Sequence, residues 1–486
     1  MSYRASIVSF PEIKEPLLNK RTSRDKNKIM TPAPFDACDL EGLDTPETLP
    51  EIPDVSQVET IRHFTRLSRL NFGIDQGMYP LGSCTMKHNP RICEEIASKM
   101  ARIHPADDMA MSGILEKVFE LSGYLEEICG MDASTLWPAA GAHGELTAIM
   151  IIKKALYIRG EPRRTVLIPD TAHGTNPASC AVAGFRTVNI PSGDDGMLKA
   201  SILKEYLDGD VAGLMITNPN TLGIFENEIR AIAAMLHENG SYLYMDGANL
   251  NAIMGITRPG DMGVDIMHLN LHKTFGTPHG GGGPGSGPVL VKKGLVPFLP
   301  LPDITHTDNR FSLGWNRDTS IGMVHSSTGN MAVLIKALTY IYSLGAFGIR
   351  QAATMACINA NYLRARLSPM FNLPYPGATL HEFVLSDRDQ GKNQVTTMDM
   401  AKALMDYGFH PPTVYFPLVV HGAIMIEPTE TEPLEELERF AQAMQAIAET
   451  AQEHQESLHN NPVTCPCERV DEVWAARNLV LTWDME

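Results

Sequence analysis

Nowhere in the 486-residue chain do apolar residues run on for anything near the ~20 that a membrane-crossing helix needs, so a membrane-embedded protein is not expected. Basic clusters are missing too. Against 57 Asp and Glu stand only 40 Lys and Arg, a formal charge of -17. That surplus of carboxylates opposes a sequence-independent hold on nucleic acid or anionic lipid, both of which need grouped cations to displace counterions. Cysteine is sparse: eight thiols scattered along the chain do not make the disulfide framework of a small secreted domain. The N-terminal basic residues Lys14, Lys20, Arg21, Arg24, Lys26 and Lys28 are interleaved with acids and followed by no apolar core, unlike a secretory signal. A cytoplasmic protein with reduced thiols is expected. No Gly-x-Gly-x-x-Gly follows an early strand, which argues against a dinucleotide fold. Cys465-Pro-Cys467 has neither the spacing nor the partners of a zinc site, so no metal is expected.

What is present is a long α/β pattern. Residues 1–60, rich in Pro and charge with no sustained apolar period, read as an extended arm. From Ile114 to Cys129 the apolar spacing predicts an amphipathic helix, and a second is predicted from Gly144 through Leu156. Short apolar runs then recur at Thr165–Ile168, Thr187–Ile190, Val211–Ile216, Tyr242–Met245, Asp265–Leu269 and Pro288–Val291, with a helix over Glu228–Asn239. Runs of four to six residues alternating with helices are the mark of buried strands in a mainly parallel sheet. A helical stretch from Met331 to Leu344 leads into a different texture. Strands are predicted there at Glu382–Leu385 and Ala423–Ile426, helices at Thr397–Tyr407 and Leu434–His454, and a loop over Gln452–Asn461. The expected organisation is an arm (1–60), a large α/β domain (61–340) and a smaller C-terminal α+β domain (341–486).

Open parallel sheets bind ligands beyond the carboxyl ends of their strands, and the chemistry-bearing residues fall there. Lys273 follows a strand directly and precedes a loop too glycine-rich to pack by side chains, which makes its amine a candidate Schiff-base nucleophile. Asp246 closes another strand in Tyr244-Met-Asp-Gly-Ala-Asn249; a carboxylate there can pair with a protonated pyridine nitrogen and keep a pyridoxal ring electron-withdrawing. The small-residue loop Trp137-Pro-Ala-Ala-Gly-Ala-His-Gly-Glu145 runs into a predicted helix, whose N–H groups and dipole can take a phosphate. His173 follows a strand in Asp170-Thr-Ala-His-Gly-Thr-Asn-Pro-Ala178, where an imidazole can stack on a ring. Asn220 or Thr221, after the Val211–Ile216 strand, can reach a pyridine hydroxyl or the substrate. Singly, each has an ordinary reading as a surface lysine, a turn aspartate, a loop histidine or an Asn-Pro turn. Their convergence on one sheet edge carries the weight. In Tyr79-Pro-Leu-Gly-Ser-Cys-Thr-Met-Lys87, Cys84 is a possible nucleophile and Lys87 a possible anion contact, with a buried thiol and a surface lysine as the plainer readings.

The Tyr79–Lys87 stretch, Pro138–Glu145, Ala172–Ser179, Leu271-His-Lys-Thr-Phe275 with its glycine loop, Tyr407–Pro412 and Ile426–Thr431 together make the chain resemble the two-subunit glycine decarboxylases, the P-proteins of the glycine cleavage system, over roughly residues 50 to 484. The resemblance implies an aminotransferase-like fold, fold type I of the pyridoxal-phosphate enzymes. It implies Lys273 as the covalent attachment of pyridoxal 5'-phosphate, Asp246 under the pyridine nitrogen and His173 over the ring. Ala140, Gly141 and Ala142 are expected to cradle the phosphate, Ala248 to pack on the ring, and His272 and Thr221 to complete the cofactor contacts. It also implies a partner subunit 1 in a two-plus-two heterotetramer, glycine as substrate, and transfer of the aminomethyl group to the lipoyl arm of H-protein. Four features depart from the family pattern: Gly276 where a serine is expected, His88 for a tyrosine, Thr328 for an aromatic, and the whole segment Pro302–Asp318.

Overall fold

A computed structural model describes residues 15–16, 55–100, 103, 108–280 and 285–481. The expected N-terminal arm and part of the glycine loop therefore lie mostly outside the described residues.

Seven strands make the main sheet: β1 (Ala133–Thr135), β2 (Thr165–Pro169), β3 (Arg186–Ile190), β4 (Val211–Thr217), β5 (Tyr242–Gly247), β6 (Ile266–Leu269) and β7 (Val289–Val291), in the order β1-β7-β6-β5-β4-β2-β3. The pairs from β6 through β3 are all parallel, while β7 runs antiparallel to both β6 and β1. Every residue of β2, β4 and β6 is buried. A parallel strand needs cover on both faces, which is why these segments read as unbroken apolar runs. The cover comes from separate clusters on the two faces. One centres on Ile149, Ile152, Leu156 and Tyr244, the other on Leu214, Ile216, Leu243 and Leu250.

The helix Gly141–Arg159 starts three residues before the sequence expectation. Gly144 N–H already reaches the Ala140 carbonyl, and His143 Nδ1 accepts from Ala139 N–H at 3.1 Å, so the first turn closes at once. Gly160, at φ 78°, ends it. The early start puts the helix N-terminus at Ala140–Ala142, directly beside the carboxyl end of β6.

The departing segment 302–318 is a β-hairpin, β8 (Asp303–Thr307) with β9 (Arg310–Gly314), turning through Asp308 and Asn309 at φ 51° and 61°. Asp-Asn tolerates left-handed φ at both turn positions, a hairpin signal present in the sequence but not read there.

The helix predicted from Met331 runs on to Leu367. It is long and apolar enough to cross a membrane by length and composition, against the expectation of no such stretch. Gly345 interrupts it at φ 60°, ψ -178°, and its inward residues are shared between two protein cores. Ile349, Ala352 and Ala353 after the break still belong to the first core, and from Ala360 the helix packs into a second core with the antiparallel sheet β10 (Phe383–Ser386), β12 (Ala423–Ile426) and β11 (Thr413–Val414) and the helices Thr397–Asp406 and Leu434–Glu453. The predicted loop over 452–461 holds a short helix instead, Gln455–Leu458, because Leu458 is buried in that core and pins the turn. Met78 belongs to the same core, and Leu81 bridges to Ile426. The segment 78–88 thus leaves the second sheet and ends against the first.

Candidate active site

A cleft of about 1140 Å³ opens at the carboxyl ends of β2, β5 and β6. Lys273, Asp246, His173, Ala140, Gly141, Ala142, Ala248 and His272 all line it. Four separate elements deliver them. Asp246 ends β5, Lys273 and His272 sit on the helical turn Leu271–Thr274 after β6, His173 follows β2, and Ala140–Ala142 form the N-terminus of the long helix.

Asp246 is buried at the floor of the cleft. Its Oδ1 accepts from Ala248 N–H at 2.9 Å and lies 3.5 Å from His268 Nε2, and its Oδ2 accepts from Asn176 Nδ2 at 3.1 Å. Burial works against its charge, but His268 and Lys273 outweigh that and hold the carboxyl below its ordinary range. Glu145 meets the opposite fate: burial and the neighbouring Asp246 charge push it upward. The Asn176 amide spans the two, at 3.1 Å from each carboxylate. Of the two carboxyl groups lining the cleft, the negative charge is therefore concentrated on Asp246. His268 is steered from behind by the Tyr244 hydroxyl at Nδ1. These supports escaped the sequence reading. The available signal was register, since Asp246 and His268 are lateral partners in the β5–β6 pairing.

His173 is held neutral by burial first and by the Lys273 charge second, as suits a ring that stacks. The Lys273 amine donates to the Ser83 carbonyl at 2.8 Å.

The opposite wall has the form of a phosphate cradle. Around the helix N-terminus the backbone comes so close that a Cβ on Gly287 would lie 2.1 Å from the Ala140 carbonyl oxygen, and one on Gly141 would lie 2.2 Å from Asn270 Nδ2. Only bare backbone fits there, leaving N–H groups and the positive helix end turned to the cleft. His272 and His279 meet edge-on at 4.9 Å, with His272 Nδ1 and His279 Nε2 buried and lacking a partner. Burial lowers His272 to about 3, so it faces the cleft as a neutral ring. An ionised carboxylate, an amine, a neutral stacking imidazole and an anion cradle in one cleft fit the donor set pyridoxal phosphate requires. We expect Gly287→Ala to weaken cofactor binding at least tenfold, read by absorbance titration, with the fold retained by circular dichroism.

Three sequence readings change. Thr221 does not line the cleft; it is buried and donates to the Thr171 carbonyl at 2.6 Å, bracing the loop that carries His173. Its neighbour Asn220 is spent on Gly196 and Glu226. Lys87 is neither a surface residue nor free to hold a ligand anion. It is 3% exposed, with Nζ donating to Glu430 (2.6 Å), Asn251 (2.7 Å), the Thr274 carbonyl (3.0 Å) and Tyr340 (3.2 Å). Cys84 lines the cleft, but burial pushes its thiol up to about 11, against the pull of Lys273, which rules it out as a ready nucleophile. At pH 8 roughly one part in a thousand would be thiolate. Iodoacetamide with peptide mass mapping should find Cys84 unmodified while the exposed Cys467 is labelled.

Two of the departures have local causes. Gly276 lies at φ 59°, and a Cβ there would stand 2.8 Å from the Tyr340 ring that caps Lys87. Gly276→Ser should cost about 1–3 kcal/mol through strain and overpacking, seen as a lowered Tm. His88 turns away from the cleft to Asp75, whereas Thr328 lines it.

Comparison with known proteins agrees with this geometry. The family model for the glycine cleavage system P-protein matches residues 95–301, and the model for the C-terminal domain of glycine dehydrogenase matches residues 352–465. A protein of Caldanaerobacter subterraneus subsp. tengcongensis named "Probable glycine dehydrogenase (decarboxylating) subunit 2" is 51% identical over 471 residues, covering 95% of this chain and 97% of that protein. One of the same name from Chlorobium phaeovibrioides is 55% identical over 437 residues, 88% of this chain and 90% of its own length. Among solved structures, a glycine decarboxylase (P-protein) in inhibitor-bound form superposes with TM-score 0.67 at 22% identity, over 84% of this chain and 91% of that one. A Lactobacillus brevis glutamate decarboxylase does so with TM-score 0.65 at 16% identity, over 86% and 98%. The likeness to both structures is one of fold, the aminotransferase-like fold type I expected from the sequence. With about half its residues identical over nearly the full length of such relatives, and with the cleft their chemistry calls for, the chain belongs to the glycine cleavage system P-protein family.

Proposed function

We propose that this chain is the cofactor-bearing subunit 2 of a glycine decarboxylase, releasing CO2 from glycine and passing the aminomethyl group to the lipoyl arm of H-protein in the cytoplasm. The observation that carries the reading is the meeting of Lys273, Asp246, His173 and the Ala140–Ala142 helix terminus in one cleft. Pyridoxal phosphate, when bound, supplies a ring that accepts the electron pair left behind as a carboxylate departs. Every other part of the work falls to the chain's own residues. Lys273 Nζ would be the point of covalent attachment and, once released, would be available in the cleft to move a proton. Asp246 holds a proton at the ring nitrogen, and its ionised state, secured by His268 and Asn176, makes that proton stay. His173, neutral, presses on the ring face. The helix terminus, with His272 in support, takes the phosphate.

Glycine has no side chain to grip, so discrimination rests on a small site around the amino acid and on its carboxylate. The cleft is larger than a cofactor alone needs, and its lining extends to Met111, Ile114 and Thr328. That size supports entry of a long flexible arm. Relatives named subunit 2 support a partner subunit 1, and we propose a two-plus-two assembly. The test is 14CO2 release from [1-14C]glycine by this chain with and without subunit 1 and lipoylated H-protein. Turnover that needs both additions supports the proposal, and its absence under all combinations sinks it.

A further inference from the structure

The second sheet reaches the catalytic lysine through two buried carboxylates. Glu382, directly before β10, and Glu427, directly after β12, are 0% and 1% exposed. Three of their four oxygens go to residues 83–85, while Glu382 Oε1 accepts from Asn249 Nδ2 at 3.3 Å. Glu382 Oε2 accepts from Ser83 N–H at 2.7 Å. Glu427 Oε2 accepts from Cys84 N–H at 3.0 Å and Thr85 N–H at 2.8 Å, while its Oε1 takes the Thr85 hydroxyl at 2.5 Å. Ser83 and Thr85 stand at φ 61° and 48°, conformations that a serine and above all a β-branched threonine leave unless held. Gly82 locks the approach, because a Cβ there would lie 2.6 Å from the Met425 carbonyl oxygen. The product of this restraint is a single aimed group, the Ser83 carbonyl, 2.8 Å from Lys273 Nζ.

We propose that Glu427, with Glu382, is a positioning residue for Lys273: the two carboxylates fold residues 83–85 so that the Ser83 carbonyl forms the docking point of the lysine amine whenever it is not covalently engaged. The proposal rests on the assignment of Lys273 as the attachment lysine. A freed amine on a flexible four-carbon stem has many orientations, and an acceptor at a fixed place keeps it near the reacting carbon. Without the carboxylates the Ser83 and Thr85 N–H groups lose their partners, Cys84 N–H keeps only the Leu81 carbonyl at 3.3 Å, and the strained turn relaxes, taking the acceptor away. Charge plays no part in this role, only acceptor geometry. An amide oxygen can serve Cys84 and Thr85 equally well, and the Thr85 hydroxyl can accept from an amide N–H.

The test uses the full chain with its partner subunit and compares Glu427→Ala with Glu427→Gln. Peptide-resolved hydrogen exchange should show residues 83–85 losing protection in Glu427→Ala while β4 keeps it. In the same variant kcat for glycine should fall about 10²-fold, the scale of a reactive group misplaced by an ångström, with KM moving less than threefold. Glu427→Gln should restore the protection and most of the turnover. Unchanged exchange at 83–85 in Glu427→Ala overturns the proposal, and so does a Glu427→Gln enzyme as slow as Glu427→Ala. Should Glu427→Ala lose protection throughout, Thr85→Val removes one contact only; it is expected to loosen 83–85 alone, and no loosening counts against the proposal. Failure of the underlying assignment reads differently: wild-type protein would then yield no borohydride-reduced adduct on Lys273, whatever the exchange data say.

Discussion

Lys273→Ala should lose glycine turnover to the background level, a fall of at least 10⁴-fold, and should give no cofactor-peptide adduct after borohydride reduction. Among the described residues the Lys273 amine is the only one lining the cleft, since the nearby Lys87 is fully committed to Glu430, Asn251, Thr274 and Tyr340. Cys84, also in the cleft, is no ready substitute, because burial leaves its thiol protonated. The measurement is peptide mass after reduction, alongside single-turnover CO2 release. A variant that still carried the reduced adduct elsewhere, or that turned over at wild-type rate, would refute the assignment. Because the phosphate cradle and Asp246 are untouched, the variant should still bind the cofactor noncovalently.

Asp246→Asn is expected to lower kcat on the order of 10³-fold, the range seen when one preorganised electrostatic partner is removed from a buried site. The amide keeps the contact with Asn176 in shape but cannot hold a proton on a pyridine nitrogen, so the ring loses much of its electron demand. The absorbance of the bound cofactor should change while the Lys273 adduct persists. The pH dependence has a definite sign. Asp246 is held below its ordinary value, so it stays ionised well into acid, and the support it provides is lost only as pH falls through that lowered value. An acid limb of the wild-type profile between about pH 5 and 7 should therefore survive in Asp246→Asn. Disappearance of that limb in the variant would mean that Asp246 titrates in the working range, contrary to the geometry.

The inner strands were legible because parallel strands buried on both faces, as β2, β4 and β6 are, have no choice but to be apolar. All six runs read from the sequence recur as β2 to β7, with ends displaced by a residue or two. The hairpin β8–β9 went unread, since its exposed residues give no apolar period and only the Asp308-Asn309 turn marks it. The helix beyond Leu344 was missed for a related reason: Gly345 breaks the local pattern, yet packing against two cores carries the chain on to Leu367. Residues acting through a strand-end position, such as Lys273, Asp246 and His173, could be picked out. Those acting through an unrelated stretch, such as Glu427 or Glu145, could not.

Sequence alone pointed to the family and the parallel sheet and placed an amine, a carboxylate and an imidazole at strand ends, because these follow from residue type beside a strand end and from motifs read locally. Only the tertiary structure decided what each group can do. Lys87 became a buried strut, Thr221 a brace and Cys84 an idle thiol once their neighbours were in place. Asp246 kept its charge beside Glu145 because His268 sits across the β5–β6 ladder. Protonation, hydrogen-bond partnership and reach depend on distances between residues up to 343 positions apart, such as Cys84 and Glu427, and only folding sets those distances.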